Sequence, residues 1–391
     1  MKYMNRKVAV IGVGNTEYTS NRRETRTKAE LAYAAVKGAL GMAGIGLADL
    51  EATVFTSVDG FEGNVRPARV LEAFGQGLNI PLIDVNTGGT AGGSGVKEAI
   101  HMVSAGLYDL VMVYGSPTFQ GVVDNQQVLN TASPPIFEKP FGLGAAHMGS
   151  LYCAGYMRKY NFTMEDLAMV SAKSHKNAAK NPYAHLRKGY TLEEILNSPM
   201  VAWPLHMYEI CPNSSGAVAV IFASEEKAKS LCSTPVWVKA ISSITDTFLT
   251  GYRPYTGFPQ LKILAQRVYE RAGITNPRKE IDVAELFNPF GPFELLEYEA
   301  LGFCGEGEGV GLLRSGATEI NGDIPCNASG GTLCTNSGIA ASVTRHAEVV
   351  LQLMGKAEGH QAKSPKTGLA HSWGGNDGQF HTVCIFSLEE D

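Results

Sequence analysis

The sequence has no basic surplus. Its 33 lysines and arginines are outweighed by 38 aspartates and glutamates, a formal charge of -5, so it lacks the electrostatic footprint that nucleic acid requires. It has no apolar run of membrane-spanning length, so no membrane contact is expected. The chain opens MKYMNRKVAVIGVG and enters a strand-like pattern at once. The expectation is a protein without a signal peptide that works in the cytoplasm. Charge is sparse, at 18%, which points to surface buried against other subunits. There are seven cysteines, an odd count, and no two are spaced C-x-x-C. That pattern fits reduced thiols and no zinc site within this chain.

The chain does have length and apolar content. With 391 residues and 44% hydrophobic composition it can bury a large core, and it is too long for one ordinary sheet domain. Apolar, β-branched runs predict strands at 8–12, 51–57, 107–115 and 216–223, and another opening at 235–241. Ala- and Leu-rich stretches predict helices at 26–44 and 162–181. Between them, 116–210 reads as an inserted, Pro-containing region of the first half.

Two patterns occur twice in the same order. A helix, the tripeptide Ala-Gly-Ile and a strand run through LGMAGIGLADLEATVF at 40–55, then through ERAGITNPRKEIDVAELF at 270–287. A Gly-rich turn feeds a helix at 88–106 and again at 330–355. A repeat of strand–helix units predicts a duplicated α/β fold, with halves at 1–230 and 231–391.

Four turns carry the candidate chemistry. TGGTAGGSG at 87–95 precedes a helix, and its N–H groups suit an oxyanion as well as its small residues suit helix packing. NASGGTLCTNSG at 327–338 carries Cys334, either a nucleophile activated near a helix start or a small buried hydrophobe. HSWGGNDGQFHT at 371–382 carries His371, a general acid or base or a structural imidazole. NPFGPF at 288–293 opens with Asn288, an oxyanion donor or the cap of a helix starting at Phe293. The aromatics Trp203, Phe290, Phe293 and Trp373 line a pocket or belong to the core. Gly12-Val13-Gly14 lacks the third glycine of a dinucleotide fingerprint and reads as a plain turn.

Taken together, CPNSSGAVAV at 211–220, LLEYEALGFCGEGEG at 295–309, NASGG at 327–331 and HSWGG at 371–375 resemble the thiolase superfamily. The branch they resemble holds the sterol-carrier-protein thiolases and thiolase-like lipid-transfer proteins. The resemblance extends to two-component enzymes such as benzoylsuccinyl-CoA thiolase. It implies two βαβ-rich halves in five layers, a homodimer core, and a carbon–carbon bond made or broken beside a CoA thioester. Coenzyme A is then a substrate, with no tightly bound cofactor, and a small zinc-ribbon/OB-fold accessory protein is the implied partner.

The family's catalytic residues are missing. Thr90, or Gly89 in a shifted register, stands where the family has its cysteine nucleophile. Asn336-Ser337-Gly338 replaces Gly-His-Pro, Phe287 replaces an Asn or His, and the last Gly-rich turn has no cysteine before it. Phe287 and Ser337 also stand where aldolase-like relatives use tyrosines. The residues left to carry chemistry are Cys334, His371, Ser337, Asn288 and Thr90, with Asn376 and Asp377 nearby. Backbone N–H groups at Gly89 or Thr90 and at Gly375 remain for an oxyanion hole. Three functions follow: thiolysis of a β-oxoacyl-CoA with an accessory subunit, retro-aldol cleavage of a β-hydroxyacyl-CoA, or acyl-CoA binding without turnover.

Overall fold

The computed structural model describes residues 4–56, 79–118, 120, 129–130, 133–375 and 378–390. Nine strands form one mixed sheet system: β1 (Val8–Asn15), β2 (Ala52–Thr56), β3 (Leu82–Val85), β4 (Leu110–Gly115), β5 (Val218–Ser224), β6 (Val236–Thr245), β7 (Val283–Glu285), β8 (Thr367–Gly374) and β9 (Phe380–Ser387). Seven longer helices pack on it: α1 (Lys28–Ala43), α2 (Ala91–Ser104), α3 (Ala145–Tyr160), α4 (Met164–Ala178), α5 (Pro259–Ala272), α6 (Phe293–Ala300) and α7 (Ile339–Leu353).

The duplication is visible in the pairing. The first half runs β1-β5-β4-β2-β3, with β2 parallel to β4 and the β4/β5 and β5/β1 pairs antiparallel. The second half runs β6-β9-β8-β7, with β7 parallel to β8 and the next two pairs antiparallel. In place of β3 the second half has a single parallel bridge, Ala284 to Cys326. The halves meet where Ala9 and Val10 of β1 pair with Trp237 and Val236 of β6.

Alternation along the strands builds five layers. Ala9 and Ile11 face Ala35 and Ala39 of α1 on the outside. Val8 and Val10 face the middle, where Val96 and Ile100 of α2 and Val343 and Ala347 of α7 pack between the two halves. Val383 and Ile385 of β9 face outward to Leu261 and Leu264 of α5 and Leu295 of α6. Burying the apolar surface of the paired central helices on both sides is the main favourable term holding the halves together.

Some sequence expectations need correction. Gly12 and Gly14 are not a turn: β1 continues through both to Asn15. A Cβ at either would collide with backbone of Ala39 or Ala35, so the glycines let α1 lie close on β1. Helix α3 lies in the inserted region 116–210, ahead of the helix expected at 162–181. Its Gly149 and Gly155 interrupt the sequence pattern because they seat Phe290 and the backbone of Tyr255. Trp203 is 56% exposed, whereas Phe290 and Phe293 are core.

Candidate active site

The turn that ends β3 is folded on itself before α2 begins. Thr90 is the N-cap of α2. Its hydroxyl donates to the Thr87 carbonyl at 2.9 Å and meets the Thr87 hydroxyl at 3.2 Å, and Thr87 in turn meets Ser94 at 2.8 Å. None of these partners is a base, so Thr90 is not activated as a nucleophile.

The glycines of this turn touch the turn after β8. A Cβ at Gly89 would lie 2.9 Å from the Trp373 carbonyl oxygen, and one at Gly88 would lie 3.4 Å from the Gly375 nitrogen. A Cβ at Gly374 would collide with the Thr90 nitrogen. Only glycine permits this backbone contact, and Gly88 and Gly375 also have φ of 61° and 95°. The Ser342 hydroxyl of α7 donates to the Gly89 carbonyl at 2.5 Å. Because a trans peptide points its N–H opposite its carbonyl, the Thr90 N–H is turned away from α7 toward Gly374. The first-turn N–H groups of α2 add their dipole here. Gly89, Thr90 and Gly375 are thus brought together by backbone.

Sequence-predicted side chains elsewhere sit apart. His371 lies within β8, one residue out of phase with the centre. Ser372 faces Gly93 of α2, so His371 faces the outer layer. There its Nε2 lies 3.1 Å from Nδ1 of His381, and its Nδ1 lies 3.2 Å from Oε1 of Glu297, without the alignment of a hydrogen bond. Burial pushes the His371 pKa well below that of free imidazole and the Glu297 pKa well above the carboxylate range. Both are enclosed, and burial favours the neutral form of each.

Cys334 closes a short helix, Gly331–Cys334, instead of preceding the long one. It packs with Ala178, Ala184 and Leu333, and its Sγ meets Nδ1 of His175 at 3.5 Å. The other nitrogen of His175 contacts the Tyr208 carbonyl at 2.8 Å. Since a carbonyl only accepts, that nitrogen carries the proton and Nδ1 accepts from the thiol. Burial raises the thiol pKa and lowers the imidazole pKa, which opposes an ion pair.

Asn288 is committed on both ends. Its Nδ2 donates to Oε2 of Glu294 at 2.9 Å and its Oδ1 accepts from the Leu333 N–H at 3.3 Å. It does not cap α6, whose N-cap is Pro292. Ser337 is buried just before α7; its carbonyl accepts from the Thr118 N–H at 3.1 Å. Its hydroxyl lies beside Tyr18, whose own hydroxyl meets Thr344 at 2.8 Å and whose pKa burial pushes up to about 12. Asn376 and Asp377 lie outside the described residues. Among the described residues no group of three His, Cys, Asp or Glu side chains could hold a metal ion.

One neighbour of the turns was not singled out by sequence. Ser342 sits four residues into α7, with nothing in the sequence to mark it. Phe287 and Trp373 stack, with ring centroids 6.5 Å apart and planes at 19°. The arrangement can stabilise negative charge on an oxygen through backbone donors. Among the described residues it offers no thiol, imidazole or carboxylate at Thr90.

Comparison with known proteins bears on this arrangement. A model of the thiolase N-terminal domain matches residues 8–189, and one described as thiolase C-terminal domain-like matches residues 244–387. An acetyl-CoA acetyltransferase of Methanothermobacter thermautotrophicus is 34% identical over 390 residues, covering 98% of this chain and 100% of that protein. The benzoylsuccinyl-CoA thiolase subunit BbsB of Thauera aromatica is 30% identical over 375 residues, covering 95% and 96%. The solved structure of an Ltp2-ChsH2(DUF35) aldolase superposes with a TM-score of 0.84 at 27% identity, covering 97% of each chain.

Proposed function

The chain belongs to the thiolase family, and from that premise we propose that it is an enzyme that makes or breaks the Cα–Cβ bond of an acyl-CoA. The observation that carries this reading is the contact between the two glycine turns at the start of α2. Cleaving that bond leaves an enolate of the thioester, and its oxygen needs preorganised donors. The Gly89–Thr90 and Gly375 N–H groups are such donors, and they do not depend on the lost side chains.

The geometry favours cleavage without an enzyme-bound thioester. Cys153, Cys326, Cys334 and Cys384 are buried, and Cys211, Cys232 and Cys304 are half-buried. None is at the Thr90 turn. Cys211 accepts from Nδ2 of Asn336 in the second-half turn at 3.0 Å, and burial pushes its pKa up to about 11. A retro-aldol step on a β-hydroxyacyl-CoA uses no such thiol; it needs a base to take the hydroxyl proton as the Cα–Cβ bond breaks to carbonyl product and thioester enolate, and a proton returned to the enolate carbon. Thiolysis of a β-oxoacyl-CoA is the second reading, favoured by the full-length match to an acetyltransferase.

An accessory subunit belongs to this reading. The matched aldolase structure has two components and BbsB is named as a subunit, which supports a partner here; we propose a small zinc-ribbon/OB-fold protein on a homodimer of this chain. Incubating the chain, alone and with such a partner, with β-oxo- and β-hydroxyacyl-CoAs tests the proposal. Cleavage of a hydroxy substrate without free CoA supports the lyase. Cleavage of an oxo substrate only with CoA supports the thiolase. Binding without any product leaves a non-catalytic acyl-CoA-binding subunit.

A further inference from the structure

We propose that Ser342 is a positioning residue, whose hydroxyl holds and polarises the Gly89–Thr90 peptide and so prepares the Thr90 N–H as a donor to the thioester oxygen. This rests on the reading of the chain as an acyl-CoA enzyme that uses that N–H. The Gly89 carbonyl and the Thr90 N–H belong to one planar peptide unit, so whatever fixes the first fixes the second. Ser342 is buried on α7, in the second half of the chain, and its hydroxyl donates to the Gly89 carbonyl.

The turn does not fix this peptide by its own sequence. Gly88 and Gly89 stand before it, and glycine lets a peptide plane rotate with little steric resistance. The bonds within the turn hold its other peptides. The Thr90 hydroxyl takes the Thr87 carbonyl, and the Ala91 N–H takes the Gly88 carbonyl, each at 2.9 Å. The Gly89 carbonyl is held from outside, by a residue 253 positions away in sequence. A serine or threonine within a helix can turn its hydroxyl back to the carbonyl four residues earlier. Thr344 on α7 does so, donating to the Ala340 carbonyl at 2.9 Å. Ser342, half a turn before it, reaches across to the other half of the chain instead.

Two effects follow. The hydroxyl pins the plane, with the N–H pointing away from α7 to the side on which Gly374 packs. A donor on the carbonyl also draws electron density through the amide, which makes the N–H opposite it a stronger donor. Both effects grow as charge gathers on the thioester oxygen, so losing them lowers kcat more than it raises KM. Ser342 itself needs no contact with the substrate and moves no proton.

Ser342→Ala deletes the hydroxyl and suits the helix; Ser342→Thr keeps a hydroxyl. On the β-oxo- or β-hydroxyacyl-CoA that the chain cleaves, kcat should fall on the order of tenfold in Ser342→Ala, less than the roughly 10²-fold of deleting an oxyanion donor outright. KM should change by less than about threefold, and Ser342→Thr should recover most of the rate. A general loosening of the fold would weaken binding along with rate. A second measurement does not depend on turnover: the infrared carbonyl stretch of acetyl-CoA carrying ¹³C at its carbonyl. Bound to the wild type, the band is expected below its position in free acetyl-CoA; in Ser342→Ala it should move back toward that position, and in Ser342→Thr it should stay. A band shifted equally in wild type and Ser342→Ala overturns the proposal, as does an unchanged kcat. A wild-type band at the free position removes the oxyanion reading of these turns, and the role of Ser342 with it. A Ser342-dependent shift in a chain that cleaves nothing keeps the positioning role and removes only the enzymatic reading.

Discussion

His371 and His381 stack nearly parallel inside the outer layer of the second half, with ring planes at 16° and Nε2 of one 3.1 Å from Nδ1 of the other. Glu297 approaches His371 from α6, Asp246 and Arg253 bear on His381, and the charge of His346 reaches His371. Desolvation dominates: it lowers the His381 pKa to about 3 and the His371 pKa well below 6.5, and raises that of Glu297.

The sign of the pH effect follows. Both histidines take up a proton in the unfolded chain below its imidazole pKa of 6.5 and do not in the folded one, so they remove stability as pH falls. Glu297 works the other way, protonated when folded and ionised when unfolded above 4.5. Between those two values the unfolded chain holds one proton more, so this cluster costs about 1.4 kcal/mol per pH unit on acidification. His381→Asn removes one titrating group. In urea unfolding at several pH values, the variant's stability should fall less steeply over that window by about that slope. Parallel curves for variant and wild type would mean that His381 titrates as it does in the unfolded chain.

Cys334→Ala should leave turnover within about twofold of wild type and cost roughly 1 kcal/mol of stability for the small void it leaves. Its thiol should resist iodoacetamide in the native state, because only the thiolate reacts and burial opposes it. Mass analysis after alkylation and a single rate measurement check both points. Loss of activity in the alanine variant would restore Cys334 as the nucleophile.

The Lys173 ammonium is buried against Glu294 and donates to the Tyr298 hydroxyl at 2.9 Å and the Cys326 carbonyl at 3.0 Å. Glu294 also receives Nδ2 of both Asn288 and Asn327, each at 2.9 Å. One ion pair thus fixes the loop after β7 to the turn before α7. Lys173→Met strands the Glu294 charge, and the expected cost is about 3–5 kcal/mol. Paired replacement, Lys173→Met with Glu294→Gln, should recover part of that loss in thermal unfolding. Equal destabilisation of single and double variants would argue that packing, not charge, holds the loops.

The halves were legible because each repeats the same run of strand, helix and Gly-rich turn, and pairing order follows from that repeat. The Gly89, Thr90 and Gly375 cluster was legible for a related reason: glycine at a turn marks backbone contact without any side chain. His371 was not. Its place beside two glycines suggested a strand end, and only the register of β8 against β9 shows that it points to the outer face. Cys334 and Asn288 misled in the same way. A residue's type and its loop are visible in sequence, but the partners that consume its hydrogen bonds, His175 for one and Glu294 for the other, come from α4 and α6. The buried charge of Lys173 had no sequence signal at all.

Gly374→Ala tests the contact on which the functional reading stands. The added methyl would meet the Thr90 nitrogen and the Gly89 backbone. Neither can yield as a flexible side chain would, so the two turns must separate. A displacement near 1 Å of preorganised donors costs on the order of 10²-fold in rate, and kcat should fall by at least that much while the central helices keep the fold. Gly41→Ala is the matching control: it lies exposed in α1 with nothing within 4 Å of its new methyl. There alanine should raise stability by about 0.5–1 kcal/mol and leave turnover alone. Full activity in Gly374→Ala would mean that the reacting oxygen is held elsewhere, because no rearrangement of this backbone keeps both turns in contact around a methyl group.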